Sequence, residues 1–323
     1  MIGLLAALLL AQDAFDTSHH RPIPIRVHAS PFPGLDGPKA VGCLALRAGL
    51  TLSAGGGGFG GYSDIVLTGP DGAATILSDN AHMMHLRLLT DDEGDAVGVA
   101  DTELRVLHER DGSGLGKRDG DGEGLAWLGG GYAVSFEGEH RIARMDAAGK
   151  LGAPLRPTAR LAEVFGGNSG LEALTVLPDG RLLAMSEGLD ADGTAVVLRG
   201  DLGTQLSDWD RARYRPAKGF NVTGAATDSL TGDLFVLERA YSPWRGARMR
   251  IVRVPKDGLD DDALAGRELT RMGFLEGVDN MEGIAAARTE AGDLRLYLVS
   301  DDNYSAAQRT VLLTLGEAGD CPS

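Results

Sequence analysis

The sequence predicts an all-β protein, a β-propeller with five clear blades. Three observations carry that reading. Two sets of landmark residues recur every 49–63 positions along the chain. Between them lie short apolar runs joined by glycine-containing turns. Glycine supplies 47 of 323 residues with no G-X-Y period, about twice its usual share. A period near 50 residues with three or four short strands per repeat is what propeller blades produce. Two packed sandwiches would not predict so regular a spacing.

The elements follow in chain order. Residues 1–12 are apolar but fall short of the roughly 20 residues a membrane helix needs. They suit a signal-peptide core with cleavage near Ala11, without the usual Lys or Arg ahead of it. Residues 13–39 form an N-terminal segment, 40–316 a single propeller domain and 317–323 a C-terminal tail. The first strand of each repeat opens at Ser63, Glu123, Glu172, Thr223 or Glu282, and the second ends at Ser78, Ser135, Ser186, Leu237 or Ser300. The turns between them are PDG at 70–72, GGG at 129–131, PDG at 178–180, TGD at 231–233 and AGD at 291–293, a hairpin pattern. Third runs follow, and ELRVLHE, RPTARLAEV, RARYRPA and ELTRMGFL supply fourth strands. The fifth repeat runs out at Leu315 without a fourth. VGCLALRAGLTLSA at 41–54 can fill that place, closing the ring by pairing N- and C-terminal strands. A sixth blade built from residues 21–60 stays open as an alternative.

Composition narrows the function. Acidic residues number 46 against 31 basic, a net charge of −15, which excludes a nucleic-acid partner because phosphate backbones need clustered Lys and Arg. No later segment is long and apolar enough to span a membrane. The two cysteines, Cys43 and Cys321, exclude a CxxC zinc or redox motif. They are either two free thiols or one disulfide joining the ends that ring closure brings near, which requires an oxidising compartment.

Propeller geometry turns the repeat into a candidate site. Residues that open first strands and residues that follow second strands converge on one mouth. The openers all carry oxygen. After the second strands come Asp79, Glu137, Glu187, Glu238 and Asp301, with Asn80, Asp302 and Asn303 adjoining. Carboxylates gathered round one axis repel unless cations or partners neutralise them. Hard oxygen ligands select Ca²⁺ or Mg²⁺ over zinc or copper. The alternative is a structural network of strand caps and arginine pairs. Basic residues begin the third strands: His140 and Arg141, Arg239 with Arg245 and Arg248, and Gln308 with Arg309. Arginine beside a bound cation suits a small anionic substrate. Other motifs carry less. DGDGEG at 119–124 has Gly130 where a calcium loop needs Glu, GGGGFGG at 55–61 lacks GK[ST], and no GxSxG occurs.

GGYS at 60–63, DGDGEGLAWL, SFEGEHRI, NSGLEALTVLPDGRLLAMSEG, LFVLERAYS, NMEGIA and SDDNY followed by QRTVLL resemble the phytase-like family over roughly residues 40–316. The resemblance implies an exported bacterial propeller whose repeated acidic blocks fall on Glu123, Glu137, Glu172, Glu187, Glu282, Asp301 and Asp302. Basic and amide partners fall on His140, Arg141, Arg239, Gln308 and Arg309. The DDPA-type calcium block of true phytases is absent, so the substrate stays open. The expectation is a Ca²⁺-dependent phosphoric-ester hydrolase, periplasmic or secreted and monomeric. Its metal ligands are Asp79, Glu123, Glu137, Glu172, Glu187, Glu282, Asp301 and Asp302, and Arg141, Arg309 and His140 act on substrate. The alternatives are a non-catalytic ligand- or protein-binding propeller and a lactonase- or dehydrogenase-like propeller.

Overall fold

The computed structural model describes residues 22–33, 35, 37–55, 57–157 and 170–319. The segment read as a signal peptide, residues 1–12, lies outside the described residues, as does Cys321. The first four strands are β1 (Ile23–Pro24), β2 (Val27–Pro31), β3 (Lys39–Val41) and β4 (Leu44–Ala54). Blade 1 contains β5 (Tyr62–Leu67), β6 (Ala73–Ser78), β7 (His82–Thr90) and β8 (Ala96–Val106). Blade 2 contains β9 (Gly122–Trp127), β10 (Tyr132–Phe136), β11 (Arg141–Met145) and β12 (Leu151–Leu155). Blade 3 contains β13 (Leu171–Val176), β14 (Leu182–Leu189), β15 (Ala195–Gly200) and β16 (Asp210–Tyr214). Blade 4 contains β17 (Asn221–Thr227), β18 (Leu234–Ser242) and β19 (Gly246–Val254); β20 (Ala263–Leu264) crosses to the edge of blade 3, and β21 (Arg267–Gly273) completes blade 4. Blade 5 contains β22 (Asn280–Arg288), β23 (Leu294–Asp301) and β24 (Thr310–Glu317).

The five sheets are antiparallel meanders, with β20 the one parallel addition. β4 pairs with β24 from Leu52↔Thr310 to Leu44↔Glu317 and becomes the fourth strand of blade 5. The ring is therefore closed as the sequence predicts. The sixth blade does not form. β4 is committed to that closure, and β1, β2 and β3 only widen the edges of blades 1 and 5. The fourth strand of blade 2 also differs from expectation. The chain turns directly after β11, so Leu151 faces Met145 and β12 precedes the RPTARLAEV segment, of which 158–169 lie outside the described residues.

Each gap between neighbouring blades is filled by its own apolar cluster, five in all. Such burial, at roughly 25 cal/mol per Å², is the main tie from blade to blade, with the short β16–β20 pairing an addition between blades 3 and 4. The first strands β5, β9, β13, β17 and β22 touch one another in a ring around the axis. Glycine permits that approach. A Cβ on Gly124, Gly224 or Gly283 would stand 2.6–2.8 Å from atoms that include Glu172 O, Glu282 O and the Asp64 backbone. No helix among the described residues is long and apolar enough to cross a membrane.

Candidate functional site

One backbone irregularity, repeated five times, builds the mouth. In every blade the register between the first two strands slips by one residue. The residue left over is Ser63, Glu172, Thr223 or Glu282 in four blades; in blade 2 the slip spans Glu123 and Gly124. Such a bulge re-aims its side chain out of strict alternation. The openers found by sequence are thus the bulge residues.

A second shared position stands two residues earlier. Gly61, Asp121, Gly170, Asn221 and Asn280 there face Asp79, Glu137, Glu187, Arg239 and Asp301 across the hairpin. Register therefore corrects one reading. Arg239, not Glu238, is blade 4's counterpart of the acidic positions. Glu238 is buried, takes Arg250 Nη1 at 2.6 Å and accepts the Tyr214 hydroxyl and Ala217 N–H. It belongs to the packing between blades 3 and 4.

Carboxylate oxygens of Asp121, Glu123 and Glu137 lie within 4.8 Å of one another. Burial pushes Asp121 up to about 6, with Asp79 adding repulsion and Lys117 opposing. Burial and the neighbouring Asp121 and Glu187 push Glu137 up to about 7. Glu123 and Glu172 are hydrogen-bond neighbours, and burial together with the surrounding carboxylates holds both well above the usual range. Two carboxyl groups in hydrogen-bond contact need one proton between them. Burial raises Glu282 to about 8 although Arg239 opposes it, because Asp301 and Glu187 add charge.

Arg239 is the guanidinium in this group. Its Nη1 donates to Asn280 Oδ1 at 2.6 Å, its Nε lies 3.2 Å from Glu282 Oε1, and its Nη2 lies 3.5 Å from Glu187 Oε1. Asn280 Nδ2 donates in turn to Glu282 (2.9 Å) and Asp301 (3.3 Å), and Asn221 Nδ2 donates to Glu187 (3.3 Å). Asp301 rises to about 6, mainly through burial. Asp79 is also raised by burial; it meets the Tyr304 hydroxyl at 3.3 Å and the charge of Lys117.

The structure thus brings Glu123, Glu137, Glu172, Glu187, Glu282 and Asp301 together, with Asp79 on the rim. It does not bring Asp302 in. That carboxylate accepts Gly61 N–H, Tyr304 N–H and the Thr310 hydroxyl at 3.0–3.1 Å, clamping the β23–β24 loop against blade 1. Arg141 is also elsewhere. Its side chain is 2% exposed, stacked 4.1 Å from the Phe136 ring centroid and donating to Asp119 O. A guanidinium so enclosed cannot reach a substrate at the mouth. Arg309 is exposed but lies over Phe32, 4.9 Å from the ring centroid. His140 sits half-buried at the end of the β10–β11 turn. Cys43 is disulfide-bonded; Cys321 is outside the described residues.

Sequence reading missed Asp121, Lys117, Asn221 and Asn280. The signal for three of them was available: two residues before each opener is itself a repeated place. Lys117 comes from a loop with no repeat partner and had none.

Three carboxylates held together with no arginine among them make a hard, all-oxygen donor set. Such a set suits hard cations such as Ca²⁺ or Mg²⁺ better than zinc or copper. No curated protein matches the chain. The profile of a family described as Phytase-like, "Esterase-like activity of phytase", matches residues 57–304, from the loop before β5 into the β23–β24 loop of blade 5. With its propeller and its acidic mouth, the chain belongs to the Phytase-like family.

Proposed function

We propose that the protein is a divalent-cation-dependent ester hydrolase, acting at the propeller mouth on phosphoric esters and working after export. The observation that carries this is the Asp121–Glu123–Glu137 group, gathered within 4.8 Å and raised first by burial and then by neighbouring carboxylates. Those three residues would hold the cation, with Ca²⁺ the favoured ion. A bound cation of this kind polarises an ester oxygen and lowers the pKa of water.

The remaining roles belong to side chains. Arg239 is oriented by Asn280, Glu187 and Glu282, which leaves it placed to steady an anionic oxygen. Burial holds Glu172 well above the usual carboxylate range and raises Glu282 to about 8, which favours the protonated form that a proton donor to the leaving group needs. An anionic substrate is compatible with a chain of net charge −15, because a cation and Arg239 reverse the sign locally. The disulfide at Cys43 suits an oxidising compartment and so supports export.

The test is an assay of metal-stripped protein on phosphomonoesters and carboxyl esters, with EDTA, Ca²⁺ and Mg²⁺ in turn. Cation-restored turnover of the phosphomonoesters supports the reading. Turnover of carboxyl esters alone moves the assignment to a carboxylesterase. Cation binding without turnover of either class makes the protein a binding propeller.

A further inference from the structure

The exposed aromatic rings are distributed unevenly. Among the described residues they are Tyr241 (70% exposed), Trp244 (95%), Phe274 (68%) and Tyr304 (46%). All four stand at the mouth end of their blades. Tyr241 and Trp244 belong to the β18–β19 hairpin, Phe274 follows β21, and Tyr304 follows β23. Tyr304 is committed through its hydroxyl to Ser78 and Asp79. The other three cluster on blade 4. Single exposed apolar side chains are ordinary, whereas a cluster beside a polar site marks contact with a ligand.

The blade-4 hairpin extends past the mouth. β18 continues for three residues beyond Arg239, paired as far as Ser242↔Gly246. Tyr241 is two residues above Arg239, so both side chains share one face of the strand, roughly 7 Å apart. A molecule touching Arg239 and the adjoining carboxylates therefore meets Tyr241 next. The tip is ordered: Arg245 N–H donates to Ser242 O and Oγ, both at 3.2 Å, with Trp244 at its crest. Aromatic rings on a rigid turn lose little entropy on binding.

The polar groups below the rings select the occupant. Glu187, Glu282 and Asp301 accept from Asn221, Asn280 or Arg239 and have lone pairs to spare for further donors. A purely apolar chain would strip water from them without replacing its hydrogen bonds, at a cost, and an anionic lipid surface would meet them as like charges. A pyranose ring satisfies both layers. Its C–H face stacks on an aromatic ring, and its hydroxyl edge donates to carboxylates. We infer that the β18–β19 hairpin is a carbohydrate-binding arm, stacking sugar rings on Tyr241 and Trp244 above the acidic mouth. The inference rests on the ester-hydrolase reading only in naming a sugar as the carrier of the ester. Its test reads binding alone, so failure of hydrolysis leaves it unaffected.

Trp244 is its own reporter. Of three tryptophans, Trp209 is buried and Trp127 half-buried. The full chain in Ca²⁺ buffer is titrated with cellohexaose, xylohexaose and chitohexaose, following tryptophan emission and acrylamide quenching. Phosphatidylcholine and phosphatidylglycerol vesicles run alongside. The expected result is a hexaose that binds with Kd below about 1 mM and shields Trp244. Tyr241→Ala and Trp244→Ala each weaken it about ten-fold, as loss of an aromatic anchor does, at unchanged Tm. No binding of any hexaose overturns the inference. So does binding that survives both substitutions, or vesicle binding through Trp244 with no hexaose binding.

Discussion

The two ends of the same five inner strands handle charge in opposite ways. At the end away from the mouth, buried carboxylates are matched with arginine. Asp95 holds Arg47 and Arg295 at 2.7 and 3.0 Å, Asp233 holds Arg253, and Asp228 holds Arg288. The axis there is a channel of about 270 Å³ lined largely by Ile65, Leu125, Leu174, Ala225 and Ile284 with their neighbours. At the mouth, Asp121, Glu123, Glu137, Glu172, Glu187, Glu282 and Asp301 gather, and Arg239 meets only Glu187 and Glu282 among them. Burial pushes the Asp228 carboxyl up, but Arg288, Leu230 N–H and Thr231 bring it down to about 2. Burial at the mouth outweighs the few opposing groups, and Glu137 and Glu282 rise to about 7 and 8. The fold thus matches carboxylates with arginine at one end and gathers more carboxylates than cations at the other, the end where the proposed cation would bind.

The contrast can be broken from either side. Asp228→Asn leaves Arg288 without its charge partner and should cost about 3 kcal/mol in urea unfolding, while leaving any Ca²⁺-induced rise in Tm unchanged. Loss of the Ca²⁺ response as well would mean that the two ends are not independent. Arg239→Met, at the mouth, removes the cation between Glu187 and Glu282. It should lower the Tm of stripped protein and tighten Ca²⁺ binding by about five-fold, the effect of roughly 1 kcal/mol. Weaker Ca²⁺ binding would show that Arg239 positions the site rather than offsetting its charge.

The two ends also predict opposite responses to pH. Asp228 is depressed from 3.8 to about 2, so its contribution is present above pH 3.8 and is lost as pH falls toward 2. The mouth carboxyls are raised. Folded protein holds their protons longer than unfolded protein, so stability falls as pH rises from about 4 through 8. Stripped protein should therefore melt lower at pH 8 than at pH 5, and Ca²⁺ should restore more at pH 8. A stripped Tm that is flat over that window would remove the burial and crowding of carboxyl groups on which the contrast rests.

The fold was legible because it repeats. The turns at Gly72, Gly129, Gly180, Gly232 and Gly292 all carry φ of 78–90°, so glycine marked each hairpin where the sequence placed it. Ring closure by residues 44–54 was legible as a missing strand at one end and a surplus one at the other. The site was legible by position and less so by role. Asp302 and Arg141 sit at repeat positions, yet Asp302 turns to backbone N–H groups and Arg141 is enclosed by Phe136 and Asp119. Sequence spacing fixes where a Cα lies along a blade. It does not fix where a long side chain finds its partner: Arg239 reaches both Glu187 and Glu282, on the blades to either side of its own.

Calorimetric titration of Ca²⁺ into stripped protein at pH 8 tests the central claim most directly, with wild type beside a Glu123→Gln/Glu137→Gln double variant. Saturable binding by the wild type, lost in the double variant while its fold persists, is the predicted result. No binding by the wild type, or equal binding by both proteins, would contradict a cation site at Asp121, Glu123 and Glu137.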